Sequence, residues 1–184
     1  GLVSSLLRRP SHFLCAAGGV ALGIMATPSH AADLEELGRE AVIELCPRLM
    51  DIETPLAEES QIVSRGYSSE GTHEHARAGT VDYVFRQADD GEIRIGNSWD
   101  ANFCQVSVDG PGARRAFDGM LADYRLIDNT LFPDPTAPSP DERLELTTLR
   151  TPAIDEVYLG VQFFDASAID AGAPLIIQQY LLEE

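Results

Sequence analysis

The chain has 184 residues, with 13 basic side chains against 30 acidic ones and a formal net charge of −17. So acidic a surface repels the phosphates of nucleic acid and of anionic membranes, and neither is an expected partner. Every basic residue is arginine; with no lysine present, a P-loop lysine, a Schiff-base lysine and a Ser-Lys dyad are excluded.

Residues 1–31 read as an export signal. Arg8 and Arg9 form a positive n-region, Phe13 to Ala26 is an apolar run of 14 residues, and Pro28-Ser29-His30-Ala31 supplies a cleavage site after Ala31. The run is shorter than the roughly 20 residues a membrane-spanning helix needs, which favours cleavage over an uncleaved anchor. Cys15 follows His12-Phe13-Leu14, without the small residue that lipidation wants, and would leave with the signal. The expected mature chain, Ala32 to Glu184, has 153 residues, 11 arginines and 30 acids, and suits one domain. No apolar run in it is long enough to span a membrane, so the protein is expected in the periplasm or secreted. In an oxidising compartment its two cysteines, Cys46 and Cys104, are most simply a disulfide closing a loop of about 57 residues.

Asp33 with Glu36 reads as a capping box, and Leu34, Leu37, Ala41, Leu45 and Leu49 then recur at helical spacing. Pro47 predicts an end or a kink near Leu45, because it has no amide proton for the helix. A second helix is predicted over Thr54–Arg65, with Pro55 at its first position and Gly66 as its stop. Residues Tyr67–Gly79 are polar, lack a period and read as a long loop. Alternation begins at Val81, Tyr83 and Phe85; Asp90-Gly91 turns a hairpin into Ile93 and Ile95; Cys104, Val106 and Val108 share one face of a third strand. A helix follows from Gly112 to Tyr124, then a strand over Leu126–Phe132 and a proline-rich loop over Pro133–Glu142. Strands Arg143–Arg150, Glu156–Asp165 and Leu175–Leu182 complete a meander. The predicted class is α+β: an antiparallel sheet of six or seven strands with two or three helices on one face.

Leu45-Cys46-Pro47 at a helix end, Gly66 closing the next helix, the Asp90-Gly91 hairpin, the Cys104-Gln105-Val106 strand and the helix near Phe117 resemble small exported proteobacterial proteins of unassigned function. The resemblance covers about Leu34 to Tyr124. It implies export and this order of elements, and carries no catalytic residue.

Chemistry centres on "THEHAR", Thr72–Arg77, which holds both histidines of the expected mature chain, His73 and His75. Two apart in an extended segment, they point the same way and could grip one zinc or copper ion. A zinc site wants three or more protein ligands, and Glu70 and Glu74 are the nearest candidates. The spacing His-Glu-His is not that of a metalloprotease. A serine hydrolase would need one of these histidines as its base; Ser68, Ser69, Ser98 and Ser107 are available without a nucleophile motif. Scattered acids give no specific carboxylate pair or calcium loop. Trp99 reads as a lid on a core edge. The expected function is a non-catalytic exported binding or interaction module for a protein or small ligand. The alternative is a small exported metal-binding protein or hydrolase centred on residues 67–79.

Overall fold

Asp33 opens the first helix as expected: its carboxylate accepts the Glu36 amide proton at 2.9 Å, satisfying a donor that a helix leaves free at its start. The computed structural model describes residues 32–126, 132–133, 145–150, 155–165 and 170–183, and their side chains except at 124–126, 132–133 and 145–150. The expected signal (1–31), residues 127–131 of the Leu126–Phe132 strand and residues 134–142 of the proline-rich loop lie outside the described residues.

The first helix runs in three continuous stretches: α1 (Leu34–Glu40), a π-helical turn (Ala41–Leu45) and α2 (Cys46–Leu49). Of the expected end or kink near Leu45, the end does not occur; the helix is instead interrupted there by the π turn. In the π turn the Cys46 amide donates to the Ala41 carbonyl, five residues back. That register sets the Val42 carbonyl against Pro47, which has no proton to give. Gln179 supplies the missing donor from the other end of the chain, its side-chain amide reaching the Val42 oxygen at 2.8 Å.

The Thr54–Arg65 helix is shorter than expected. A 3-10 turn (Leu56–Glu58) precedes α3 (Ser60–Ser64), and Glu59 rather than Thr54 caps α3 by accepting the Gln61 and Ile62 amides at 2.6 and 3.1 Å. Gly66 stops it in the left-handed region at φ +83°, as its position implies.

Eight strands follow: β1 (Ser68–His75), β2 (Gly79–Ala88), β3 (Gly91–Ser98), β4 (Phe103–Asp109), β5 (Phe132–Pro133), β6 (Glu145–Arg150), β7 (Val157–Asp165) and β8 (Leu175–Glu183). They form one antiparallel sheet in the order β1-β2-β3-β4-β8-β7-β6-β5. The α+β class is the expected one. The strand beyond the six or seven predicted is β1, which occupies most of the expected 67–79 loop. Being an edge strand, it buries neither face fully, so its side chains show no apolar alternation.

Helix α4 (Ala113–Leu126) connects β4 to the far edge of the sheet, and the β5–β8 meander walks back to pair β8 with β4. Helices α1 and α4 pack on each other and on the centre of the sheet. One sheet face, carrying Ile93, Ile95, Val106, Val108, Phe163 and Ile177, forms the main core with Leu34, Leu37, Leu45 and Phe117 from the helices. Cys46 and Cys104 meet in this core, fully buried, with their sulfurs 2.04 Å apart in a disulfide that ties helix to sheet. Asp90 in the β2–β3 turn adds a second tie. Its carboxylate accepts the Leu34 amide proton at 2.8 Å, and its carbonyl accepts that of Gly112 at 2.8 Å, just before α4. Asp90 is thus more than a turn residue: it anchors the starts of both long helices.

Candidate functional site

No described helix covers the other face of the sheet. Val81, Phe103 and Tyr180 form a smaller apolar cluster there with Ala78, and Tyr83 and Leu182 lean on it. Two glycines shape this floor. The Tyr83 ring passes over Gly96, where an added Cβ would lie 2.5 Å from the ring; the Tyr180 ring passes over Gly160 at 2.3 Å in the same sense. The missing side chains let both rings lie across neighbouring strands.

Polar groups surround the aromatic floor. The β1–β2 register shifts between Ser69 and Gly71, leaving Glu70 as the extra residue of a bulge, with Gly71 at φ +110°. Bulges re-aim side chains. Here the bulge brings Glu70 to Arg94 on β3, whose Nε donates to the carboxylate at 2.6 Å while a second guanidinium nitrogen completes a two-pronged ion pair. Ser107 stands directly opposite Arg94 on β4, and Gln105 opposite Gly96. A cleft of about 310 Å³ lies among Glu70, His73, Tyr83, Arg94, Gln105, Ser107, Pro174 and Ile176. Ser107 is only 6% exposed, yet its hydroxyl makes no hydrogen bond to the described residues. It lines the cleft, where water or an entering ligand can meet it.

The two histidines lie on this same face, as extended spacing requires: His73 pairs across to Val81 and His75 to Gly79. They take different partners. His73 is exposed, its Nε2 3.9 Å from Glu70 and its ring 5.6 Å from that of Tyr83. His75 closes the β1–β2 turn. Its Nδ1 accepts the amide protons of Arg77 and Ala78 at 3.2 and 3.3 Å, and its ring rests 4.8 Å from that of Phe103. Its Nε2 lies 3.3 Å from the side-chain amide of Gln178, which also bonds Gln105 at 2.8 Å. An imidazole with Nδ1 as acceptor carries its proton on Nε2, on the side of Gln178 and Gln105. Burial, and then the neighbouring Arg77 charge, push the His75 pKa down, against a hydrogen bond with Gln105 that raises it. Arg77 extends the turn over the sheet, its guanidinium 3.8 Å above the Tyr180 ring and bonded to Gln162 at 2.9 Å. The turn is a strap drawn across one end of the open face.

Among the described residues no group of three His, Cys, Asp or Glu side chains converges as a metal ligand set. Glu74, the other expected ligand, bonds Thr80. Of the expected serine candidates, Ser98 is tied to the Ala78 carbonyl and Asp100. Ser107 shares the cleft with His73, but strands β2 and β3 stand between their own strands. Trp99, at the β3–β4 turn, is half exposed rather than a buried lid. Sequence reasoning missed Glu70 with Arg94, and Ser107 with Gln105, as members of one site. The Ser-x-Gly of the bulge and the Gln105-x-Ser107 alternation were the only signals.

Comparison of the chain with known protein families, with curated proteins and with solved structures finds no match in any of the three.

Proposed function

We propose that this protein is an exported binding module that holds a small polar ligand on the sheet face that carries Tyr83, Gln105 and Ser107. The observation that carries the reading is the cleft itself, floored by the largely buried Gln105 and Ser107, whose size falls at the lower end of the roughly 300–1,000 Å³ typical of small-molecule sites. Around it stand a few polar groups on paired strands and an aromatic ring fixed over a glycine, the rigid mounting that a recognition site needs. Cleavage after Ala31 and residence in the periplasm or outside the cell belong to the same proposal. The buried disulfide supports them, because such crosslinks persist in oxidising compartments. Among the described residues no helix is long and apolar enough to cross a membrane.

The test is the native mass of untagged protein exported through its own signal. The expected species starts at Ala32, is short of two hydrogens for the disulfide, and carries a small adduct. Ser107→Leu, which pushes an apolar side chain into the cleft, removes that adduct without changing the fold by circular dichroism. An adduct that persists in Ser107→Leu places the ligand elsewhere and sinks the reading.

A further inference from the structure

We propose that the cleft takes a neutral sugar, a pyranose ring resting on Tyr83 with its hydroxyls on Ser107, Gln105 and the Glu70–Arg94 pair. This deepens the binding reading above and rests on it. Charge comes first. Glu70 and Arg94 neutralise each other through their two-pronged pair, so the cleft offers no uncompensated charge to an ionic ligand. An anion would also have to approach against the net −17 of the chain, whereas an uncharged ligand is indifferent to that field.

Hydrogen-bonding pattern comes second. A carboxylate locked beside a guanidinium presents acceptors next to donors in one plane. Adjacent hydroxyls of a sugar, each both donor and acceptor, match that alternation. Gln105 and Ser107, two apart on β4 and so on one side of it, extend the alternation across the sheet. Both are more than nine-tenths buried and both line the cleft. Shape comes third. The Tyr83 ring is held across Gly96, and Pro174 and Ile176 supply an apolar wall opposite. A flat ring beside planar polar groups suits a ligand with one C–H face and a rim of hydroxyls. It does not suit a purely polar ion.

The test titrates ¹⁵N-labelled full chain with uncharged sugars (glucose, galactose, mannose, xylose, N-acetylglucosamine and cellobiose), and in parallel with glucuronate and with glycine. The backbone signals of Gly96, Gln105 and Ser107 and the Arg94 Nε signal are followed. At least one uncharged sugar is expected to move them saturably, and Ser107→Ala to weaken that sugar about tenfold, the worth of one hydrogen bond of roughly 1.4 kcal/mol. Tyr83→Leu is expected to weaken it as well, with the spectrum otherwise intact, which separates lost stacking from lost folding. If glucuronate or glycine moves these signals and no uncharged sugar does, the sugar assignment fails while the cleft remains a binding site. If none of the probes moves them, the sugar assignment is overturned, and the adduct measurement on Ser107→Leu decides separately on the site.

Discussion

Single residues here act well beyond their own element. Gln179 is 1% exposed and spends its amide protons on Val42, while its oxygen has no partner. Such a residue is kept for what it donates. Gln179→Ala should cost about 2–3 kcal/mol in chemical denaturation, since it opens a cavity and strands the Val42 carbonyl. The cause of that need is Pro47. Pro47→Ala restores an amide that the Val42 carbonyl can accept, so it should recover about 1 kcal/mol of the loss in a double-mutant cycle; strictly additive losses would show that the two sites are not coupled. His75 carries the second residue-scale prediction. Its pKa is lowered from the ordinary 6.5, so the unfolded chain takes the proton more readily than the folded one. Its contribution to stability is therefore present above the unfolded value and lost as the pH falls through the folded one. Between about pH 7.5 and pH 5 the wild type should lose more stability than His75→Phe, which keeps the ring on Phe103 without the titration; equal slopes in urea melts would refute this.

At the scale of elements, the disulfide is the tie that periodicity made visible. Cys46 falls on the apolar stripe of the first helix, and Cys104 alternates with Val106 and Val108, so both had to face the same core. Replacing both by serine should lower stability by about 2–4 kcal/mol in urea denaturation, and reducing the wild type should give a loss of similar size. The other elements were legible in proportion to how much they bury. Strands β2, β3, β4, β7 and β8 and helices α1 and α4 announce themselves because one face meets the core. Strand β1 does not. An edge strand that faces solvent on both sides has the composition of a loop, and the Gly71 bulge breaks what alternation is left. The site was harder still. His73 and His75 drew attention as rare residue types, and the structure does set both on the open face. Glu70 meets Arg94 only because a bulge turns it, and Ser107 matters only because the pairing of β3 with β4 sets it in the cleft. Neither fact has a local sequence signature.

For the molecule as a whole, acids outnumber arginines and the ion pairs only partly offset them. Two arginines bridge acids where α1 meets α4: Arg39 bridges Glu35 and Asp123 at 3.3 and 2.8 Å, and Arg115 bridges Asp33 and Glu35 at 2.8 and 2.7 Å. Even so, 30 acids against 13 arginines leave a net repulsion that the fold must bear. Adding sodium chloride from about 0.01 M to about 1 M, which shortens the screening length from roughly 30 Å to roughly 3 Å, should raise the melting temperature by a few degrees. A fall would mean that the bridges between α1 and α4 outweigh the repulsion.

The order of strands has a consequence in time. Strand β8 is the last of the described strands to be made, yet it lies in the middle of the sheet, between β4 and β7. It also delivers Gln179 to the first helix. While a ribosome is still adding residues before Leu175, the two halves of the sheet have no strand to join them and the helix lacks its donor. The chain therefore emerges as a polymer that cannot yet close, and these long-range contacts form only once Leu175–Glu183 has been made. Until that central strand arrives, the sheet exists only as two halves with open edges.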